Sequence, residues 1–242
     1  MAGHSKWSNI KHRKGAQDAK RGKLFTKIIK EITISSKIAG GDISSNPRLR
    51  KAIDNAKSSN MPGEKIEKAI KKGIGELEGV NYEDMVYEGY GPGGISLILE
   101  VITDNKNRTV AEIRHLLSKY GGNLGETGSV IWMFDKKGII ILNCNEGNEE
   151  EILNNIIDLD IIEFINDNEK YTIETKPEKT IQIGEAIKTY GYRIESIDIQ
   201  LIPKVFHSVN EAESNSIINL LNDLEENDDI TNLYTNFNIN AQ

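Results

Sequence analysis

The apolar residues of this chain change from helical to alternating spacing near residue 80, and this change limits the folds that the chain can adopt. Before that point they recur at the three- and four-residue intervals of amphipathic helices. After it they first alternate with polar residues, as in a half-buried strand. Helices grouped at one end of a chain that then forms strands and further helices are typical of α+β proteins. The sequence therefore predicts an α+β multidomain fold with an all-helical N-terminal part.

The N-terminal part is predicted to contain three helices. The first covers about residues 16–39 and ends at a pair of glycines. The second begins at Asn46-Pro47, a typical N-cap followed by a first-turn proline. Pro62 breaks the second helix, and a third, short helix closes at Gly73. We therefore predict a basic three-helix domain over residues 1–79, which begins with an N-terminal arm.

The next segment reads as one half of a split α+β domain. Strands near 85–89 and 95–103 should form a hairpin. The second of these strands is expected to bury one face, which carries Ile95, Leu97, Leu99 and Val101. A helix near 109–120 and a strand near 130–134 should follow.

The C-terminal segment should complete the split domain. Residues 204–242 hold one helix and one strand, which is too little to fold alone. We expect them to return to the sheet that begins near Met85, so that the split domain consists of 80–137 plus 204–242.

Residues 138–203 are predicted to form an inserted ferredoxin-like domain. The order of elements is strand, helix, strand, strand, helix, strand, which is the βαββαβ order of that fold. This segment carries 5 basic and 14 acidic side chains, so its net charge is −9. It has only Tyr171 where an RNA-recognition sheet would carry stacking aromatics. We therefore expect this domain to contact the ribosome or another protein rather than nucleic acid.

Charge is strongly segregated along the chain. The overall net charge is −7, yet residues 1–79 hold 18 basic and 8 acidic side chains, a net charge of +10. Lysine and arginine side chains along an arm and two helices would neutralise phosphates and bind a polyanion in a salt-sensitive way. The candidate nucleic-acid-binding residues are Lys6, Trp7, Lys11, Arg13, Lys14, Lys20, Arg21, Lys23, Lys27, Arg48, Arg50 and Lys51.

Two features of this region admit more than one interpretation. Trp7 could stack on an unpaired base or pack against the first helix. The turn at 60–63 resembles a helix-turn-helix, but Glu64 and Glu67 would repel phosphate near a duplex. Contact with the nucleic-acid backbone is therefore favoured over sequence-specific reading of a groove.

Several other classes of function are disfavoured. Residues 89–94 match G-x-G-x-x-G, but a strand follows where a dinucleotide site needs a helix, so a hairpin turn is predicted. The single cysteine and four widely separated histidines give no metal-ligand spacing. No nucleophile and base are arranged as in an enzyme, so no catalytic residue and no cofactor are predicted, and an unrecognised enzyme remains a minor alternative.

The chain is also expected to be a cytoplasmic protein. Its apolar runs are too short to cross a bilayer. Its first residues are basic and polar, with no apolar stretch behind them that would make a secretory signal.

The polar segment 104–109 lies between a strand and a helix, where loops often carry function. Asn107 or Thr109 could cap the helix. Arg108 and Arg114 with Lys119 could also extend a basic surface, and both roles could hold.

Several motifs together resemble the YebC family over the full chain. They are Met1-Ala2-Gly3-His4-Ser5-Lys6-Trp7, Asn46-Pro47-Arg48-Leu49-Arg50, Asn60-Met61-Pro62, and the segments 87–92, 103–109, 121–125 and 221–226. The resemblance implies a helical bundle followed by two α+β domains, with the ferredoxin-like one inserted in the other. It also implies a DNA-binding transcriptional regulator, or alternatively a translation factor that binds ribosomal RNA or transfer RNA at the ribosome.

Overall fold

Residues 17–143, 148–167 and 170–238 are described by a computed structural model. Within them, seven α-helices and two four-stranded antiparallel sheets form the predicted α+β fold. The described residues divide into two units, one of 17–131 with 207–237 and the other of 132–206 with 238. The boundaries predicted for three separate domains stay predictions.

The three predicted N-terminal helices are confirmed. They are α1 (Gln17–Ala39), α2 (Pro47–Ser58) and α3 (Gly63–Gly73). Asn46 caps α2, because its side chain accepts a hydrogen bond from the Leu49 amide at 3.0 Å. Its amide group also donates to the carbonyls of Ser35 and Gly40, at 2.9 and 2.8 Å, so one side chain joins the end of α1 to the start of α2. The core between the helices includes Ile32, Leu49, Ile53, Ala56 and Ile66.

The next elements of this unit, numbered in chain order, are β1 (Glu83–Tyr90), β2 (Ser96–Thr103), α4 (Lys106–Lys119), β3 (Asn123–Leu124), α7 (Glu211–Glu225) and β8 (Ile230–Thr235). The four strands form the first sheet in the order β3-β1-β2-β8. Strand β8 pairs antiparallel with β2, with Leu99 opposite Leu233. The C-terminal segment thus returns to the sheet that begins with β1, as predicted.

The predicted hairpin is also confirmed. Strands β1 and β2 pair antiparallel from Glu83 opposite Thr103 to Tyr90 opposite Ser96. Between them, Gly93 and Gly94 have φ of 67° and 80°, which suits glycine because it lacks a Cβ. The G-x-G-x-x-G segment is therefore a hairpin turn that leads into a strand.

Three details of this part differ from the sequence predictions. Strand β2 buries both faces, including Ile98 and Ile102, because it is a central strand and α1 also contacts it. No strand covers 130–134, since 131–133 form a short 3-10 turn and the strand begins at Phe134. Helix α4 begins before residue 109 because Asn105, rather than Asn107 or Thr109, accepts the capping hydrogen bond from the Arg108 amide.

The second unit has the predicted ferredoxin-like topology. Its elements are β4 (Phe134–Asn143), α5 (Glu149–Ile156), β5 (Glu163–Asn166), β6 (Lys170–Thr175), α6 (Thr180–Thr189) and β7 (Ile194–Pro203). The strand order is β5-β6-β4-β7, and every neighbouring pair is antiparallel. Both helices pack against one face of the sheet around Ile140, Ile152, Ile173 and Ile187.

No helix in the described part of the chain is long and apolar enough to cross a membrane.

Candidate nucleic-acid interface

The predicted interface is only partly covered by the structure. Five of its residues lie outside the described part of the chain: Lys6, Trp7, Lys11, Arg13 and Lys14. Lys20 lies in α1, among the residues whose side chains are not described. The side chains of six predicted residues are described, and the structure places them in four different surroundings: Arg21, Lys23, Lys27, Arg48, Arg50 and Lys51.

The first surrounding is a cationic cluster at the start of α1, which we call the Phe25 cluster and define as Arg21, Phe25 and Lys65. The guanidinium of Arg21 and the ammonium of Lys65 each lie 5.4 Å from the centre of the Phe25 ring. Cations this close to an aromatic face are attracted by its negative charge density. Arg21 also donates to the carbonyl of Asn60 at 3.4 Å. The cluster therefore joins the start of α1 to the turn between α2 and α3.

The Phe25 cluster presents its charge to solvent. Arg21 and Lys65 are both exposed, and Lys68 lies one turn further along α3. The first turn of α3 carries Glu64 and its last turn carries Lys71 and Lys72. An acidic residue at the start of a helix and basic residues at its end complement the helix dipole, so these charges stabilise α3. They also make its C-terminal end basic.

Arg50 and Lys51 lie apart from the Phe25 cluster, at the N-terminal end of α2. Arg50 donates to the carbonyls of Ile43 and Ser44, at 3.2 and 2.7 Å. Asn60, which contacts Arg21, follows the other end of this helix. Arg50 lies eight residues before Ser58, the last residue of α2, which is a rise of about 12 Å along the helix axis, so Arg50 and Lys51 lie towards the opposite end of α2 from the Arg21 contact.

Lys23 and Lys27 have partners within the protein. Lys23 forms an ion pair with Glu226 and also donates to the Glu226 carbonyl at 3.1 Å. Lys27 donates to the carbonyl of Glu225 at 2.7 Å. Both acceptors lie at the C-terminal end of α7, where carbonyl groups lack helical partners and the dipole is negative. These two lysines therefore hold α1 to the end of α7.

Lys30 continues this row of lysines into the interior. Spacings of four and three residues place Lys23, Lys27 and Lys30 on one face of α1. Lys30 is only 7% exposed, and it donates to the Asp228 carbonyl at 2.9 Å and to the Asp229 carboxylate at 2.5 Å. The three lysines therefore hold α1 to residues 225–229, and the innermost of them, Lys30, forms a buried ion pair with Asp229.

Asp229 accepts hydrogen bonds from the end of β2 and from the polar segment 104–109. Its carboxylate accepts from Arg108 at 2.7 Å, from Thr109 at 2.6 Å and from Thr103 at 3.1 Å. Burial acts to raise the pKa of Asp229, but the hydrogen bonds from Lys30, Thr109 and Arg108 outweigh it and hold that pKa well below its usual range. Since Arg108 also pairs with Asp104 at 2.9 Å, this segment stabilises the unit instead of extending a basic surface through Arg108.

Arg48 is likewise engaged within the protein. Its guanidinium makes two hydrogen bonds to Glu31, at 2.6 and 3.1 Å, and a third to Asp84 at 2.5 Å. The hydrogen bonds that Arg48 donates to the Glu31 carboxylate raise the pKa of Arg48 above its usual value despite its partial burial. A two-pronged contact of this kind suits the planar guanidinium, so Arg48 connects α1, α2 and β1.

Comparison with known proteins places the chain in a family. The family model of the TACO1/YebC N-terminal domain matches residues 5–76, and the model of the TACO1/YebC second and third domain matches residues 82–237. The chain belongs to the TACO1/YebC family. The resemblance noted from the sequence motifs is thereby confirmed.

Relatives in the TACO1/YebC family match along their whole length. A "probable transcriptional regulatory protein" of Geobacter sulfurreducens is 48% identical over 100% of this chain and 98% of its own. One of the same description from Magnetococcus marinus is 47% identical over 100% and 97%. A crystal structure of a conserved hypothetical protein from Aquifex aeolicus has a TM-score of 0.87 and 43% identity, and covers 98% of both chains.

Two features of the site were not predicted from the sequence. Lys65 is not among the predicted binding residues, because nothing local in the sequence shows that it shares the Phe25 ring with Arg21. The second feature is that Lys23, Lys27 and Lys30 bind other parts of the protein. Their spacing shows that they share one helix face, which is a signal that they have a common surrounding. Their partners near residue 228 could not have been identified from that spacing.

Proposed function

We propose that this chain is a non-enzymatic regulator of gene expression that binds the backbone of nucleic acids through its N-terminal helical part. The Phe25 cluster supports this proposal most directly. Arg21 and Lys65 bring two exposed positive charges to one ring, four residues from the point where the basic N-terminal segment enters α1. The net charge of +10 over residues 1–79 supplies the wider field that attracts a polyanion.

The mode of binding that suits this arrangement is contact with phosphates. Arginine can contact a phosphate through two N–H groups, and lysine binds it as a point charge. The Phe25 ring holds both cations in place, which reduces the side-chain entropy lost on binding. Such contacts carry no sequence information themselves, so specificity would need a further feature of the nucleic acid.

Duplex DNA is the first candidate target. Relatives in Geobacter sulfurreducens and Magnetococcus marinus are described as probable transcriptional regulatory proteins. A transcriptional regulator of this type would bind promoter DNA, and that binding would survive an excess of nonspecific duplex.

Ribosomal RNA is the second candidate target, with the ribosome as the assembly that presents it. Two observations favour it. Glu64 in the first turn of α3 would repel the phosphates that flank a major groove. The net charge of −9 over residues 138–203 suits contact with basic proteins, which accompany RNA in the ribosome.

The Phe25 cluster can be tested with a charge-matched pair of variants. We expect Arg21→Ala with Lys65→Ala to weaken binding on the order of tenfold and to lower the slope of log K against log salt by about 1 to 2. The control, Lys106→Ala with Lys188→Ala, removes the same charge from exposed positions elsewhere. Fluorescence anisotropy of labelled duplex DNA and of ribosomal RNA fragments at several salt concentrations gives both quantities.

The same titration decides the proposal. Equal losses for both double variants would show that only total charge matters, and unchanged binding would show that the cluster is not the interface. Co-sedimentation with ribosomes, compared with retention on promoter duplexes, then separates the two targets. The double variant should lose whichever association is physiological.

A further inference from the structure

The unit of residues 17–131 with 207–237 contains a pocket beside the C-terminal end of α3. The second half of α1, the end of α3 and the segment 75–82, which leads to β1, all line it. Its volume is about 230 Å³. Sites for drug-sized molecules usually measure about 300 to 1,000 Å³, so this pocket suits a smaller group.

The pocket has apolar walls that are open to water. Ile34 is buried, whereas the side chains of Leu77 and Val80 are 40% and 49% exposed. The half-buried Tyr82 adds an aromatic ring to the lining, and the Lys30 ammonium lies 5.9 Å from the centre of that ring. A flat apolar group that covered these walls would remove their surface from water, which is favourable.

Lys37 brings a positive charge to the pocket. Its ammonium donates to the Asn81 side-chain carbonyl at 2.5 Å and to the Tyr82 backbone carbonyl at 3.2 Å. A lysine ammonium has three N–H groups, so one remains for a ligand.

Lys72 brings a second positive charge, and no acceptor is aligned with it. Its stem runs along Gly79, where a Cβ would lie 3.3 Å from three of the stem carbons. Within 17–143, 148–167 and 170–238 its half-buried ammonium has neither a hydrogen-bond acceptor nor an ion-pair partner. A half-buried cation without an acceptor is well suited to bind an anion.

Lys72 also shares a flank of α3 with Lys65 of the Phe25 cluster. Seven residues are almost two helical turns, so the two positions differ by about 20° around the axis and about 10 Å along it. Phosphates of one strand follow each other at about 3.4 Å along a duplex axis, so a strand bound at the Phe25 cluster reaches Lys72 within about three nucleotides. A line of phosphates therefore fits both positions better than a single small anion does.

We propose that the pocket holds one unpaired base against Leu77, Val80 and Tyr82. Lys37 and Lys72 then bind the phosphate of that nucleotide. This inference rests on the proposed function and narrows its target to a nucleic acid with unpaired nucleotides, such as a loop or a single strand. A base within a duplex is paired and stacked, so it could enter the pocket only after displacement from the helix.

The apolar walls can be tested without a change of charge. We expect Leu77→Ala with Val80→Ala to weaken binding of a 12-nucleotide oligouridine about five-fold or more, because the base loses its contacts. A duplex of the same length should bind as tightly as it binds the wild type. The control, Ile38→Ala with Ile43→Ala, removes two exposed apolar side chains of the same unit that do not line the pocket, and it should change neither affinity. Fluorescence anisotropy of the labelled nucleic acids with the full-length protein gives both affinities.

The phosphate contact has its own matched pair of variants. Lys72→Ala and Lys71→Ala remove the same charge from adjacent positions of α3, but only Lys72 lines the pocket. We expect Lys72→Ala to weaken oligouridine binding about five-fold more than Lys71→Ala does. The two variants should bind the duplex equally.

The results separate this inference from the proposed function. Oligouridine that binds the wild type and the Leu77 and Val80 double variant with equal affinity would overturn the pocket and leave the N-terminal interface standing. Equal weakening of oligouridine and duplex in that variant would also overturn it, because a pocket for a base acts only on unpaired nucleotides. A 12-residue oligoglutamate that binds and is weakened by the double variant, while oligouridine is not, would assign the pocket to an acidic protein segment instead. Failure of every nucleic acid to bind the wild-type chain would overturn both proposals.

Discussion

At the scale of single residues, Asp229 joins three separate segments of the larger unit through a buried carboxylate. It is buried, and its carboxylate pairs with the equally buried Lys30 while it accepts from Arg108 and Thr109. Removing one member of a buried pair leaves the other charged and without compensation, which costs about 3 to 5 kcal/mol. We expect Asp229→Ala to lower the free energy of unfolding by that amount in urea denaturation.

A control variant distinguishes the loss of the buried ion pair from the loss of any aspartate. Asp54→Ala removes an exposed aspartate from α2 and should change the free energy of unfolding by less than about 0.5 kcal/mol. Similar effects for the two variants would show that the Lys30 and Asp229 pair contributes little.

Asp229 also predicts how stability depends on pH. Its pKa is lowered in the folded state, so the folded protein binds fewer protons than the unfolded chain, whose aspartates titrate near 3.9. The contribution is therefore complete above about pH 5 and is lost as pH falls through 4 and below. Asp229→Asn should be less stable than wild type at pH 7, and urea titrations at pH 7, 5, 4 and 3 should show the gap narrow in acid. A constant gap would contradict this assignment.

Glu88 holds the glycine-rich segment after β3 in a comparable way. Its buried carboxylate accepts from the amides of Gly128, Val130 and Ile131, at 2.7, 2.7 and 2.8 Å. Burial acts to raise the pKa of Glu88, and these three hydrogen bonds lower it overall. Glu88→Gln removes the charge and one acceptor oxygen, so we expect a loss of about 1.5 to 3 kcal/mol. Amide hydrogen exchange should quicken at 128–131 in this variant and stay unchanged in Glu126→Gln, which alters an exposed residue of the same segment.

At the scale of elements, the contact between β4 and α6 depends on a glycine. A Cβ on Gly138 would lie 1.8 Å from the Thr180 hydroxyl oxygen and 2.3 Å from that of Thr175. These two threonine side chains are buried and hydrogen-bonded to each other at 2.9 Å, so they cannot move aside cheaply. We expect Gly138→Ala to destabilise the ferredoxin-like unit by about 1 to 3 kcal/mol in urea unfolding.

The comparison substitution for Gly138 lies in α1. Gly22 is within the helix and has no atom within 4 Å of its added Cβ, so Gly22→Ala should stabilise α1 by about 0.5 to 1 kcal/mol. Opposite signs for the two glycine-to-alanine changes are the expected result. A neutral Gly138→Ala would mean that α6 shifts to make room.

At the scale of the whole molecule, the two units have cores of their own. Leu49 is fully buried among the N-terminal helices, and Ile173 is fully buried in the ferredoxin-like unit. Units with separate cores can unfold separately. We expect Leu49→Ala to lower protection from hydrogen exchange in residues 17–131, and Ile173→Ala to lower it in 132–206, by about 2 to 5 kcal/mol each. Equal loss in both units from either substitution would show a single cooperative transition.

Most elements were predictable from the sequence because their signals are local. Asn46-Pro47 marks the start of α2, and alternating apolar residues mark the strands of the hairpin. The βαββαβ order of 138–203 was sufficient to predict the ferredoxin-like topology, since few arrangements of six such elements are common. The return of β8 to β2 followed from the inability of a short C-terminal segment to fold alone.

For the basic residues of the N-terminal part, local sequence signals do not reveal which side chains have partners within the protein. Composition identified residues 1–79 as basic, and helical spacing placed Lys23, Lys27 and Arg48 on helix surfaces. Only the tertiary structure decided that these three side chains have partners within the protein and that Arg21 meets Lys65 at Phe25. The physical reason is distance along the chain. A cap or a periodicity is set by neighbours, whereas Lys27 and Glu225 meet only after strands and helices almost two hundred residues apart have packed together.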